Sequence, residues 1–166
     1  MDISGTYPML YAFFDEAGRL RRDAATRQIE AAIASGASGM AVLGLGTEVH
    51  KLGRDERRTL VEWTLADVAG RVPVAVTIAD GNVPDMIESA RFARDAGAAW
   101  LILQPPRPPA SGTHLIEFFG AVADAVDCPV GIQNAPEFLG IGLSTADLLA
   151  LHAAHPNLQV VKAEST

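Results

Sequence analysis

Short apolar runs, rich in Val, Ile and Leu, alternate along the chain with longer stretches in which apolar positions recur every three or four residues. A short run bounded by Gly or Pro reads as a buried strand, and the longer pattern reads as an amphipathic helix. Strands are expected at Thr6–Phe14, Gly39–Leu45, Pro73–Ala79, Ala99–Gln104, Pro129–Gln133 and Leu158–Ala163. Helices are expected between them, at 22–36, 54–69, 83–96, 113–126 and 144–154. This regular alternation is the mark of parallel βαβ units.

The expected helices carry end signals. Asp23 precedes Ala24–Ala25–Thr26, Asn82 precedes Val83–Pro84, and Ser144 precedes Thr145–Ala146–Asp147, each a side chain able to accept from the first free N–H groups. Gly36, Gly70 and Gly97 follow the first three helices as residues able to take the left-handed conformation that ends a helix. The phrases Ala34–Gly39 and Arg94–Ala99 share one form, a helix end, a glycine turn and a strand, so residues 1–166 read as one domain of repeated βα units without a linker. A closed (β/α)8 TIM barrel needs eight strands and about 250 residues. An open doubly wound sheet is the alternative, but Phe13–Phe14–Asp15 stands where its glycine-rich fingerprint would follow the first strand. The preferred fold class is α/β, a (β/α)8 barrel of which this chain covers about the first six units. A longer parent chain or a partner is expected to cover its open edge.

Composition narrows the function. With 49% hydrophobic and 20% charged residues in 166, the chain is an ordinary globular sequence. A net charge of −7 with scattered Lys and Arg argues against nucleic acid and favours a small-molecule partner. Cys128 is the single cysteine, so no disulfide within the chain and no cysteine metal site are expected, and a buried apolar role suits it. His50, His114, His152 and His155 lack metal-ligand spacing, and no metal is expected. Trp63 and Trp100 fall in helix and strand patterns as core or interface residues. No cationic leader with an apolar core opens the chain, and no apolar run approaches the roughly 18 residues that span a bilayer. A cytoplasmic protein with no membrane contact is the expectation.

In parallel α/β folds the site forms at the carboxyl ends of the strands. Those ends hold Gly44–Leu45–Gly46–Thr47–Glu48, Asp80–Gly81–Asn82, Gln104–Pro105–Pro106–Arg107, Gln133–Asn134, and Lys162 with Glu164. Lys162 stands out because it follows Leu158–Gln159–Val160–Val161, where an ammonium is costly without a partner or a task. A desolvated lysine loses its proton more easily, and the neutral amine can attack a ketone to form a Schiff base. A lysine that snorkels to the rim or pairs with Glu164 is the plainer alternative. Gly44 and Gly46 would let backbone amides approach a carboxylate, or would simply make a tight turn.

The ordered segments GTYPMLYAFFDEAGRL, VLGLGTEVHKLGRDERR, PVAVTIADGN, PVGIQNAPEFLGIGLS and HPNLQVVKAES resemble the dihydrodipicolinate synthase and N-acetylneuraminate lyase family over essentially the whole chain. The resemblance implies a class I aldolase-like (β/α)8 enzyme in which Lys162 forms an imine with pyruvate or another 2-oxo acid, without a separate cofactor, in a homo-oligomer, tetramer or dimer. The family's Gly-Thr-Thr-Gly-Glu carboxylate-binding segment falls on Gly44 to Glu48, with Leu45 and Gly46 in place of the threonines and Thr47 following. The site set implied is Lys162 and Gln133 as catalytic residues, with Gly44, Gly46, Thr47, Asn134, Arg107 and Glu164 contacting substrate.

Departures bear on the reaction. The family's Tyr-Asn-x-Pro motif becomes Gln133–Asn134–Ala135–Pro136, and glutamine has no acid–base function near neutral pH. Protons must then come from substrate carboxylate, Glu164, Thr47 or an ordered water. Phe138 stands where synthases bind the second substrate's carboxylate with arginine, and Pro105–Pro106–Arg107–Pro108–Pro109 lacks the tyrosine they place at a dimer contact. Dihydrodipicolinate synthesis itself is therefore not expected. The expected activity is that of a lyase, aldolase or dehydratase, on a 2-oxo acid such as a 2-keto-3-deoxy sugar acid. A non-catalytic or regulatory 2-oxo-acid-binding paralogue is the alternative.

Overall fold

The computed structural model of the chain describes residues 3–107 and 112–164. Its backbone gathers into two compact units, one built from residues up to Thr77 with Ala96–Ala99, the other from Ile78–Asp95 and from Trp100 onward.

In the first unit the helices α1 (Arg22–Ala34) and α2 (Arg54–Val68) accompany the strands β1 (Met40–Val42) and β2 (Val74–Ile78). β1 and β2 run parallel, with Met40 opposite Val74 and Val42 opposite Val76. Helices α1 and α2 are joined across their polar edges: Asp67 accepts from Thr26 and Arg22, and Glu30 takes both Nη atoms of Arg71. The expected strand Thr6–Phe14 is reduced to single bridges, Met9 with Ala41 and Phe14 with Leu20. Pro8 has no N–H to add to a ladder, and Asp15 turns the chain by accepting from the N–H groups of Ala17 and Arg19.

The second unit carries α3 (Val83–Ala96), β3 (Trp100–Leu103), α4 (Gly112–Asp124), β4 (Val130–Asn134), a short α5 (Pro136–Leu139), α6 (Thr145–Ala154) and β5 (Leu158–Ala163). Its strands are parallel, with Leu103 opposite Ile132 and Gln133 opposite Lys162. Ile132 faces α6, lining a groove with Leu148 and Leu151. Strand alternation then puts Gln133 on the opposite face. On that face Gly131 makes room for its neighbours: a Cβ there would lie 3.1 Å from Val160 and 3.3 Å from Trp100.

Asn82 and Ser144 cap their helices as expected, accepting from the N–H groups of Asp85 and Asp147. Asp23 does not: α1 starts at Arg22, so Asp23 lies inside its first turn and pairs with Arg21 and Arg27. Gly36, Gly70 and Gly97 take positive φ after their helices. Helix α5 was not anticipated, because four residues hold too little apolar periodicity to read.

Candidate functional site

The carboxyl ends of β3, β4 and β5 bring together a connected polar cluster on the face opposite α6. The register that pairs Leu103 with Ile132 places Gln104 beside Gln133, and Gln133 is itself opposite Lys162. Glu164 lies two residues beyond Lys162, so alternation returns it to the same side. The side chains are joined in that order. Gln104 Nε2 donates to Gln133 Oε1 at 2.9 Å, Gln133 Nε2 donates to Glu164 Oε1 at 2.8 Å, and Glu164 forms an ion pair with Lys162 Nζ.

Burial is graded along this chain of contacts. Gln104 and Gln133 are 0% and 2% exposed, whereas the side chains of Lys162 and Glu164 keep 36% and 26% of their surface. Removal from water lowers the Lys162 pKa from the ordinary lysine value. The adjacent Glu164 carboxylate favours the ammonium form and opposes that shift. The result is an amine that faces solvent, has a base in contact with it, and is drawn part of the way toward its nucleophilic form.

Gln104 Oε1 is buried and accepts no hydrogen bond among the described residues. A buried amide with one end unused is uncommon and costs about 1–3 kcal/mol. Gln104 stood in the inventory of strand ends but carried no expected role. Its signal was a polar residue directly after the apolar run Trp100–Leu103, which becomes informative only once register places it beside Gln133.

Asn134 is engaged differently from the expectation that it touches substrate. Its Nδ2 donates to the Leu143 carbonyl at 3.0 Å and its Oδ1 accepts the Leu143 N–H at 2.8 Å, so both ends of the amide hold the segment that leads into α6. Arg107 is exposed at the end of the described segment, while Pro108 and Pro109 lie outside the described residues.

Gly44, Gly46 and Thr47 belong to the first unit, in the turn after β1. A Cβ at Gly44 would lie 2.2 Å from the Met9 terminal methyl, and one at Gly46 would lie 3.1 Å from Met9 Cγ. Met9 thus packs against both glycines, and its flexible end would have to shift to admit a side chain at Gly44. Thr47 is buried, and its hydroxyl donates to the Leu10 carbonyl at 2.5 Å. The N–H groups of Leu45 and Gly46 have no acceptor among the described residues, while those of Thr47 and Glu48 bond back to Gly44 and Leu45. Leu43 and Glu48, at the turn's two ends, take left-handed φ of 64° and 57°, a strained geometry for side chains other than Gly or Asn.

Two of the histidines tie neighbouring segments together. His152 Nδ1 meets the Leu158 carbonyl at 2.6 Å, and His155 Nδ1 meets Asp124 at 2.7 Å. Among the described residues no cluster of three His, Cys, Asp or Glu side chains could hold a metal ion, and no helix is long and apolar enough to cross a membrane. Cys128 is partly exposed rather than buried, and partial burial raises its thiol pKa.

Comparison with known proteins fits this arrangement. The chain is 34% identical over 161 residues to the 4-hydroxy-tetrahydrodipicolinate synthase of Agrobacterium fabrum, a match covering 95% of this chain and 54% of the relative. It is 30% identical over 136 residues to the L-2-keto-3-deoxyarabonate dehydratase of Azospirillum brasilense, covering 80% of this chain and 44% of the relative. The crystal structure of YagE, a prophage protein of Escherichia coli K12 solved in complex with pyruvate, superposes with a TM-score of 0.88 at 29% identity, over 94% of this chain and 53% of that one. The chain spans about half the length of the relatives it matches, and its strand–helix alternation is the amino-terminal part of their TIM barrel. The model of the dihydrodipicolinate synthetase family matches residues 2–166, and with sequence and fold in agreement the chain belongs to that family.

Proposed function

We propose that Lys162 is the imine-forming amine of a lyase, aldolase or dehydratase, that acts on pyruvate or on a 2-oxo acid of the 2-keto-3-deoxy sugar acid class. The observation that carries this reading is the half-buried Lys162 amine at the carboxyl end of β5, its pKa lowered by burial and a carboxylate in contact with it. Attack on the ketone gives a protonated imine. That imine is an electron sink, accepting the pair released when a bond to the β-carbon breaks or when a proton leaves C3 ahead of elimination. The reaction runs through the lysine itself and calls on no separate cofactor. The pyruvate bound by YagE and the sugar-acid substrate in the Azospirillum relative's name support this substrate class. The exposed Phe138 offers no charge for a second carboxylate, which argues against dipicolinate synthesis as the activity.

Borohydride reduction in the presence of pyruvate, followed by peptide mass mapping of the native-length protein, is expected to place a reduced adduct on Lys162. Lys162→Ala is expected to abolish both adduct and turnover. Pyruvate binding that survives Lys162→Ala by calorimetry, with no adduct in the parent, would instead favour a non-catalytic binding paralogue.

A further inference from the structure

The site lacks the phenol that its sequence resemblance led one to expect at position 133, and Gln133 has no titratable proton in its place. Glu164 is the ionisable side chain in contact with Lys162 Nζ among the described residues. Its orientation is set by the amides behind it. An ionised carboxylate only accepts, so Gln133 must turn its NH2 toward Glu164 and its carbonyl toward Gln104, and Gln104 must then donate. The unused acceptor at the far end, buried Gln104 Oε1, is what this polarity leaves over. The Gln104–Gln133 pair thus holds the carboxylate at the amine.

We propose that Glu164 is a catalytic residue, carrying the protons of imine formation at Lys162, and that Gln133 and Gln104 are positioning residues that aim its carboxylate. This rests on the reading of Lys162 as the imine-forming amine. In the first step Glu164 takes a proton from the Lys162 ammonium, leaving a neutral amine and a carboxylic acid. The amine nitrogen bonds to the ketone carbon, and the proton it sheds passes to the former carbonyl oxygen, giving a neutral carbinolamine. Glu164 then gives its proton to that hydroxyl as the carbon–oxygen bond breaks. Water leaves, nitrogen supplies the pair for the C=N bond, and the products are a protonated imine and a Glu164 carboxylate. The net change is ammonium plus ketone to iminium plus water, with Glu164 restored.

The experiment measures the rate of borohydride-trappable imine formation with pyruvate in the native-length protein, across pH, for the parent, Glu164→Gln, Glu164→Ala, Glu164→Asp and Gln133→Met. A charge-only role and a proton-carrying role predict opposite signs. Glu164→Gln removes a charge that favours the ammonium, so a group acting only by charge would leave the rate equal or higher near pH 7 and move the profile to lower pH. Proton carriage predicts a fall of about 10²- to 10⁴-fold in Glu164→Gln. It also predicts partial recovery with added formate, a smaller loss in Glu164→Asp, and an intermediate loss in Gln133→Met, which keeps the carboxylate and removes its donor. Glu164→Ala, a second variant without the carboxylate, guards against failure of Glu164→Gln to fold. A Glu164→Gln rate within threefold of the parent, or, if that variant does not fold, a Glu164→Ala rate within threefold, would overturn the assignment while the Lys162 reading stands. Absence of any Lys162 adduct in the parent would overturn both.

Discussion

Replacing Asn134 with alanine strands the N–H and C=O of Leu143, which its amide holds at 2.8 and 3.0 Å. Each partly buried group left without a partner costs about 1–3 kcal/mol. Asn134→Ala is therefore expected to lower the urea midpoint measurably, and an unchanged midpoint would show that the clamp is not needed. Gly142→Ala should act on the same contact, because a Cβ there would lie 2.7 Å from Asn134 Oδ1. Lys162 was legible in the sequence because a charge ending an apolar strand is anomalous without help. Glu164 and Gln133 were legible as polar strand ends but not as a connected pair, since contact between residues 31 positions apart depends on register. The contacts of Asn134 with Leu143 and of Thr47 with Leu10 were not legible, since a sequence does not show which backbone groups these side chains meet.

At the scale of elements, periodicity and capping carried most of the reading. Ser144 accepts the Asp147 N–H at 3.2 Å while Asp147 reaches back to the Ser144 N–H at 3.0 Å, the reciprocal pair foreseen from the sequence. Ser144→Ala is expected to cost about 1 kcal/mol, read as a lower denaturation midpoint. The Thr6–Phe14 segment was misread as a strand because apolar content was weighed without Pro8 and the Asp15 turn. The α1–α2 edge adds a pH dependence. For Asp67 desolvation pulls the pKa up, but the hydrogen bonds from Thr26 and Arg22 outweigh it and the net shift is downward. Arg71 lowers Glu30, and Arg21 with Arg27 brings Asp23 down to about 2. Groups depressed in the folded state stabilise it fully above their unfolded pKa and lose that contribution as pH falls through the folded value. Stability is thus expected to hold from neutral pH to about pH 5 and to decline toward pH 2. In Asp67→Asn the decline should be shallower, as followed by urea midpoints at successive pH values.

At the scale of the molecule, β5 pairs with β4 along one edge, and no strand among the described residues covers the other. Beside it runs an apolar groove of about 400 Å³ lined by Ile132, Leu148, Leu151 and Leu158, with Leu149 and Val161 64% and 47% exposed. An unpaired edge next to exposed apolar side chains favours association between copies. The 166-residue chain expressed alone is therefore expected to sediment as oligomers despite its charge of −7, and Leu149→Glu with Val161→Lys should shift it toward monomer. The barrel class was legible because βα repetition survives in part of a barrel. Gly131 has one more consequence. By admitting the Trp100 indole against Val160, it sets a fluorophore on the sheet face that also carries Lys162, two residues along from Val160. The chain's other tryptophan, Trp63, stacks on Arg22 in the first unit. With Trp63 changed to phenylalanine, ultraviolet emission would come from a single reporter on the sheet face that carries the amine, and a change in that emission on adding pyruvate would time ligand capture without a dye.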